Sequence, residues 1–286
     1  MIVLIAPDSF KGSLTSVEVA RAIAAGWRRA RPDDTIRLSP LADGGEGTLD
    51  AIEAAGGWTR RSTRVTDPIG REIDGTWLER RRADGVEAVV ELATASGLSR
   101  LRSEERDPLG ASSRGTGELI LAAVDAATGR RERDTAGAGA AGGVGYALLA
   151  LQDRFRSFGL QPGIELVMTA TGFIAALTDA HLVITGEGRI DAQTAFGKTA
   201  LGVARRAAEA GIPSIAIGGG VTPDGVAALA PFGTIVVPVV ESPMSVEEAM
   251  AAGPGPIVRA GERIARLVTV AANAAAGAGA IAGART

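Results

Sequence analysis

Two lysines stand out among the 30 basic residues of this 286-residue chain: Lys11 and Lys198 are its only ones, and the rest are arginine. Each lies in a glycine-flanked loop just ahead of a helical pattern, in Phe10-Lys11-Gly12-Ser13 and Phe196-Gly197-Lys198-Thr199. An ammonium is a compact point charge, and beside a helix N-terminus it is suited to phosphate oxygens. The competing explanation is chance survival in a chain biased towards Ala, Gly and Arg. Carboxylates occupy the same kind of loop: Asp8 beside Ser9, Asp43 and Glu46 in Asp43-Gly44-Gly45-Glu46-Gly47, and Glu187 and Asp191 in Gly186-Glu187-Gly188-Arg189-Ile190-Asp191. Such residues can ligate a hard cation, take a proton from a hydroxyl, or do no more than cap a helix or pair with an arginine.

The elements that must position these groups follow from hydrophobic periodicity. Ile2–Ala6 is an apolar strand that opens into the Asp8–Ser13 loop. Thr15 or Ser16 can cap the next helix, Thr15 with Glu18 three residues on as a capping box, and Val19, Ile23 and Trp27 recur at helical spacing. Thr35–Pro40 predicts a second strand, followed by the Asp43–Gly47 loop and a helix over Leu49–Ala55. Leu182–Thr185 reads as a short buried strand ended by Gly186 and Gly188, with a helix over Thr199–Ala210 after it. Ile212–Ile217, a helix over Asp224–Leu229, the strand Thr234–Val237 and helices near Val246–Met250 and Ile257–Val270 continue the alternation. Alternating strand–loop–helix units predict a Rossmann-like parallel sheet, with ligands at the carboxyl ends of its strands.

Between these halves the pattern changes. Glu72–Glu79 and Val86–Leu92 read as strands of another sheet joined by a charged tip at Arg80–Asp84. Ala93–Leu98 and Asp107–Gly110 read as loops, and Ser112–Glu118 leads into a helix over Leu119–Ala127. The expected organisation is α/β, with residues 1–64 and 165–286 forming the Rossmann-like domain and 65–164 an inserted, shortened second α/β domain. The Ala/Gly-rich tail Ala271–Thr286 reads as frayed or disordered. Gly137, Gly139 and Gly142 match the dinucleotide pattern, but the preceding Arg130–Thr135 is no strand, so a nicotinamide or flavin site is not expected.

A net charge of −3 gives no basic footprint for nucleic acid. The absence of cysteine removes disulfides and thiolate metal sites, and a single His181 removes a multi-histidine site. Any metal must be held by oxygen, which suits magnesium with phosphates. His181 itself reads as packed structure rather than a base. No signal-peptide pattern and no long apolar span is visible, so a soluble, cytoplasmic protein is expected.

Six motifs in order resemble the type-1 glycerate kinase family: Ala6–Ser13, Ala42–Thr48, Ser113–Leu119, Gly137–Gly143, Pro162–Val167 and Ile184–Thr194 with Gly197-Lys198. The likeness runs from residue 1 to about 270. It implies ATP-dependent phosphorylation of glycerate to 2- or 3-phosphoglycerate with Mg2+ and two α/β domains, with glycerate and ATP as partners and a homodimer as the assembly to test. Given that chemistry, Lys11 and Lys198 would neutralise phosphate, and Arg189 would grip the substrate carboxylate. Asp8 and Asp191 would act with the lysines in catalysis. Ser9, Gly44, Gly45 and Gly186 would bind substrate or phosphate, and Asp43, Glu46 and Glu187 are the candidate Mg2+ ligands. The family continues after the Leu119–Ala127 helix into a Gly-Gly-Ser-Ala-Thr-Asn-Asp-Gly-Gly-like loop and a Cys-Asp-Val-x-Asn-Pro-Leu-like motif. This chain has neither; Ala126–Asp134 runs directly into the Gly137 region. A shortened kinase is therefore set beside a non-catalytic homologue that binds nucleotide or an organic acid.

Overall fold

The computed structural model describes residues 1–83, 85–107, 109–128, 161–196 and 198–283. The chain packs as two compact units, Met1–Asp43 with Val167–Thr286, and Gly44–Leu166.

In the first unit, β1 (Ile2–Ile5), β2 (Thr35–Leu38), β6 (Leu182–Ile190), β7 (Ser214–Val221) and β8 (Ile235–Pro238) form one sheet in the order β2-β1-β6-β7-β8. Every pairing is parallel. The expected parallel α/β layer is thus present, and side chains alternate across it. Val3, Ile5, Leu182, Ile184 and Ile217 face one side, where they pack with α1 (Ser16–Ala30) and α10 (Gly255–Gly283). Ala216 and Ile190 pack on the other side with α7 (Thr199–Glu209) and α8 (Pro223–Leu229). Burial on both faces explains why these strands are short continuous apolar runs.

Thr15 caps α1 as its spacing predicts: the Glu18 amide donates to the Thr15 hydroxyl, and the Thr15 amide to the Glu18 carboxylate. α1 and α10 meet through glycine. A Cβ on Gly26 would stand 1.9 Å from the Val258 carbonyl oxygen, and one on Gly261 2.6 Å from that of Ile23.

The second unit holds an antiparallel sheet of β3 (Thr59–Thr66), β4 (Glu72–Arg82) and β5 (Gly85–Val90). Val65 and Trp77 pack against α3 (Ala93–Ser96) and α4 (Arg114–Thr128). The first crossing between units falls after Asp43 rather than after residue 64, because α2 (Thr48–Ala54) packs on β4.

Four local expectations are corrected. β6 does not stop at Thr185; it runs through both glycines to Ile190 and pairs Glu187 with Gly218 and Ile190 with Val221. Gly186 serves close strand contact, since a Cβ there would lie 2.6 Å from the Ile217 carbonyl oxygen, and Gly188 lies against the Phe10–Lys11 backbone. Ala93–Ser96 is a short helix rather than loop, and α4 starts at Arg114 rather than Leu119. There Gly115 lies against the Thr66 carbonyl, so β3 and α4 approach at this glycine. The Ala-rich tail continues as helix to Gly283, as alanine's high propensity allows. Gly137–Gly142, the Arg130–Thr135 junction and Gly197 lie outside the described residues.

Candidate active site

The sheet order places a reversal between β1 and β6. From β1 the chain crosses through α1 on one face to β2, and from β6 it crosses through α7 on the other face to β7. Loops leaving neighbouring strands in opposite directions open a crevice beyond their carboxyl ends, which is where such sheets bind ligands. The Asp8–Ser13 loop follows the end of β1, and Asp191 with the short turn Ala192–Phe196 follows the end of β6, which carries Glu187 towards the end of its pairing with β7.

Backbone bonds fix this rim. The Ala6 amide donates to the Ile184 carbonyl at 2.7 Å, the Asp8 amide to Gly186 at 2.8 Å and the Leu41 amide to Pro7 at 2.9 Å. Asp8 is buried, and its carboxylate ties the β1 loop to the start of α7. It accepts from the Ser9 amide at 2.6 Å, the Ser9 hydroxyl at 3.2 Å and the Thr199 hydroxyl at 2.6 Å. Burial raises its pKa above the ordinary aspartate value; the Thr199 and Ser9 bonds oppose this, the Asp43 charge adds to it and Lys11 offsets it.

Glu187 is the second buried carboxylate, only 5% exposed. Loss of water pushes its pKa up to about 7 despite the hydrogen bond from Thr194 and the field of Lys198; the charges of Asp8 and Asp191 push the same way as burial. Thr194 is itself wholly buried, and its hydroxyl accepts from the Asp191 amide at 3.1 Å while donating to Glu187. Asp191 accepts from the Gln193 amide at 2.9 Å and pairs with Arg189 at 3.0 Å. Lys11 lies 3.9 Å from Asp43. Lys198 occupies the N-cap position of α7.

The first unit therefore gathers Asp8, Ser9, Lys11, Asp43, Gly186, Glu187, Arg189, Asp191 and Lys198 around one end of its sheet. Gly44, Gly45 and Glu46 open the second unit. There, Gly44 adopts φ +96°, the Thr48 hydroxyl donates to the Gly45 carbonyl at 2.8 Å, and the amides of Gly47 and Leu49 donate to Glu91. His181 stands at the opposite, amino end of the strands. Its Nδ1 accepts from the Ile2 amide at 3.1 Å, while its own amide donates to the Ile2 carbonyl. It is an exposed residue that anchors the strand ends through these two bonds, rather than the packed side chain its sequence context suggests.

Thr194, Thr199 and Glu91 escaped the sequence reading. Thr194 follows Asp191 at a spacing typical of local hydroxyl–backbone turns, which could have flagged it. Nothing local could have flagged Glu91, whose partners lie more than 40 positions away.

Oxygen donors of this kind fit magnesium chemistry. Asp43, near the Lys11 ammonium, and Asp191, paired with the Arg189 guanidinium, are partly exposed carboxylates, which suits an ion that keeps much of its water and arrives with phosphates. Among the described residues, no group of three or more His, Asp or Glu side chains is placed to hold a metal by itself.

The model of the glycerate kinase family matches residues 3–131 and 126–269. The chain belongs to the glycerate kinase family. It is 31% identical to a glycerate kinase of Halalkalibacterium halodurans, over 76% of this chain and 85% of that one. A glycerate 2-kinase of Escherichia coli K12 is also 31% identical, over 78% of this chain and 86% of its own. A crystal structure of putative glycerate kinase 2 from Salmonella typhimurium LT2 superposes with a TM-score of 0.72 at 28% identity, covering 96% of this chain and 99% of that chain. The alignment to the Halalkalibacterium enzyme spans 328 positions, more than the 286 residues of this family member, so it includes positions with no counterpart here. The family match is likewise in two segments that meet at residues 126–131, where the departure in the motifs falls.

Proposed function

We propose that this kinase transfers the terminal phosphoryl group of ATP to a hydroxyl of glycerate, at the carboxyl rim of β1 and β6. The observation that carries the proposal is Glu187, a buried carboxyl with a pKa near 7 beside Lys198, at the reversal point of the sheet. A base works best when its pKa lies near the operating pH, and a glycerate hydroxyl needs one as it attacks. Glu187 takes that proton while Thr194 holds its other face. Asp8, already occupied by three donors, orients the β1 loop and the start of α7. Lys11 and Lys198 compensate phosphate charge, and Arg189 meets the substrate carboxylate. Mg2+ held by Asp43 and Asp191 would neutralise phosphate oxygens. These assignments move Glu187 from metal ligand to base and Asp191 from catalysis to metal, since burial suits the first role and partial exposure the second. Ser9, Gly44, Gly45 and Gly186 remain with substrate and phosphate, and Glu46 remains a candidate Mg2+ ligand.

A coupled assay with ATP, Mg2+ and D-glycerate tests this. Turnover abolished in Glu187→Gln and strongly reduced in Lys198→Ala, but kept in His181→Ala, supports the reading. Equal activity in wild type and Glu187→Gln removes it.

The aligned positions without counterpart here favour one second reading, a homologue that binds nucleotide or organic acid without turnover. ATP binding in calorimetry together with no phosphoglycerate would select it.

A further inference from the structure

Gly47 is the N-cap residue of α2, adopts φ +92° and has no side chain with which to cap the helix. The orphan amides of a helix start need an acceptor. Glu91 supplies it from the far end of β5: Oε1 accepts from the Gly47 amide at 3.4 Å, and Oε2 from the Leu49 amide at 3.0 Å. On the other side of the turn, the Thr48 hydroxyl and amide both donate to the Gly45 carbonyl. The glycine-rich loop is thus pinned by an internal anion at the position where a bound anion was the sequence-based expectation.

This anion is held at a cost. Glu91 is only 6% exposed, and burial together with the charges of Asp50 and Glu46 works against its ionised form, with the two amides on the favourable side. An uncharged amide or hydroxyl would satisfy one helix start without that penalty. A buried carboxylate kept under these conditions is best used where its strength as an acceptor fixes two amides at once.

We propose that Glu91 is a positioning residue for the Gly44–Thr48 loop: its carboxylate sets the backbone of the loop whose glycines the kinase reading assigns to phosphate. This deepens the kinase reading and rests on it for its effect on turnover, but not for its effect on the loop. Glu91→Gln replaces one acceptor with an NH2 that cannot accept from a backbone amide. Glu91→Asp keeps the charge on a shorter arm.

The test compares the full-length wild type, Glu91→Gln and Glu91→Asp by amide hydrogen exchange and by steady-state kinetics with D-glycerate, ATP and Mg2+. In Glu91→Gln, exchange at the Gly47 and Leu49 amides should accelerate tenfold or more while β3–β5 stay protected. The KM for one substrate should rise about tenfold with a smaller change in kcat, and Glu91→Asp should recover part of both. Unchanged exchange at those two amides overturns the proposal whatever the kinetics. Accelerated exchange with KM and kcat both unchanged also overturns it, leaving a helix cap alone. If the wild type has no turnover, the kinase reading fails by itself, and positioning is then decided by the exchange data with ATP and D-glycerate each added as a binding probe. Loop protection by either probe in wild type that is lost in Glu91→Gln supports it, and protection unaffected by the substitution overturns it.

Discussion

Glu187 concentrates the opposing demands of stability and chemistry. Its folded pKa of about 7 lies above the ordinary glutamate value of 4.5. Below 4.5 the carboxyl is neutral folded or unfolded and carries no penalty; between 4.5 and about 7 the native state binds the extra proton, so its contribution to stability falls as pH rises. Glu187→Gln should therefore stabilise the fold at pH 8, by roughly 1–3 kcal/mol, readable in chemical denaturation. The same substitution should cost about 10²–10⁴-fold in kcat, the range for a general base. In the wild type, log kcat should climb with pH up to about 7 and then level. A substitution that lowers both stability and rate would argue for a structural carboxylate instead. Lys198→Ala should reduce kcat/KM by about 10- to 100-fold, the worth of one hydrogen bond to a charged group, with the larger part in the response to ATP.

Among the elements, the contact of α1 with α10 and the seating of β1 are the ones most exposed to single changes. Gly26→Ala would drive a methyl into the Val258 carbonyl. Overpacking against backbone should cost about 3 kcal/mol, seen as a lowered midpoint in urea. The β1–α1 unit is also tied by Asp34, which accepts from the Met1 ammonium at 2.8 Å and from the Trp27 indole at 2.9 Å and pairs with Arg31. Burial would raise its pKa, but the bonds from Arg31, the N-terminus and Trp27 outweigh it and bring it down to about 2. That stabilisation is fully present above the unfolded value near 3.9 and is lost as pH falls towards 2. Asp34→Asn should thus lower stability at pH 7 by about 1–2 kcal/mol, while at pH 2 the two proteins should unfold together in an acid titration followed by circular dichroism.

For the whole molecule, the central question is whether a chain with fewer positions than its relatives still turns over. Its first unit holds both lysines, the buried carboxylates Asp8 and Glu187 and the reversal of strand order, so phosphoglycerate formation is the expected outcome of the coupled assay. Among the described residues, no helix is long and apolar enough to cross a membrane. Much of this organisation was legible in the chain. Strand cores such as Ile2–Ile5 are continuous apolar runs because both faces are covered, and Thr15 with Glu18 marks a helix start wherever it occurs. The glycines misled: those of β6 looked like breakers because a glycine's backbone freedom is local, whereas the use of Gly186 as clearance for Ile217 depends on a residue about 30 positions further along the chain.

By itself, the sequence determined the alternating elements, the glycine-rich acidic loops, the two lysines and the family, because propensity, capping and motif order are properties of short stretches. Only the tertiary structure decided which carboxylates lose their water, that Thr194 and Thr199 clamp them, and that Glu91 holds the loop after Asp43. Desolvation and charge coupling depend on what lies within a few ångströms, and for Asp8 the decisive neighbour, Thr199, is 191 positions away along the chain.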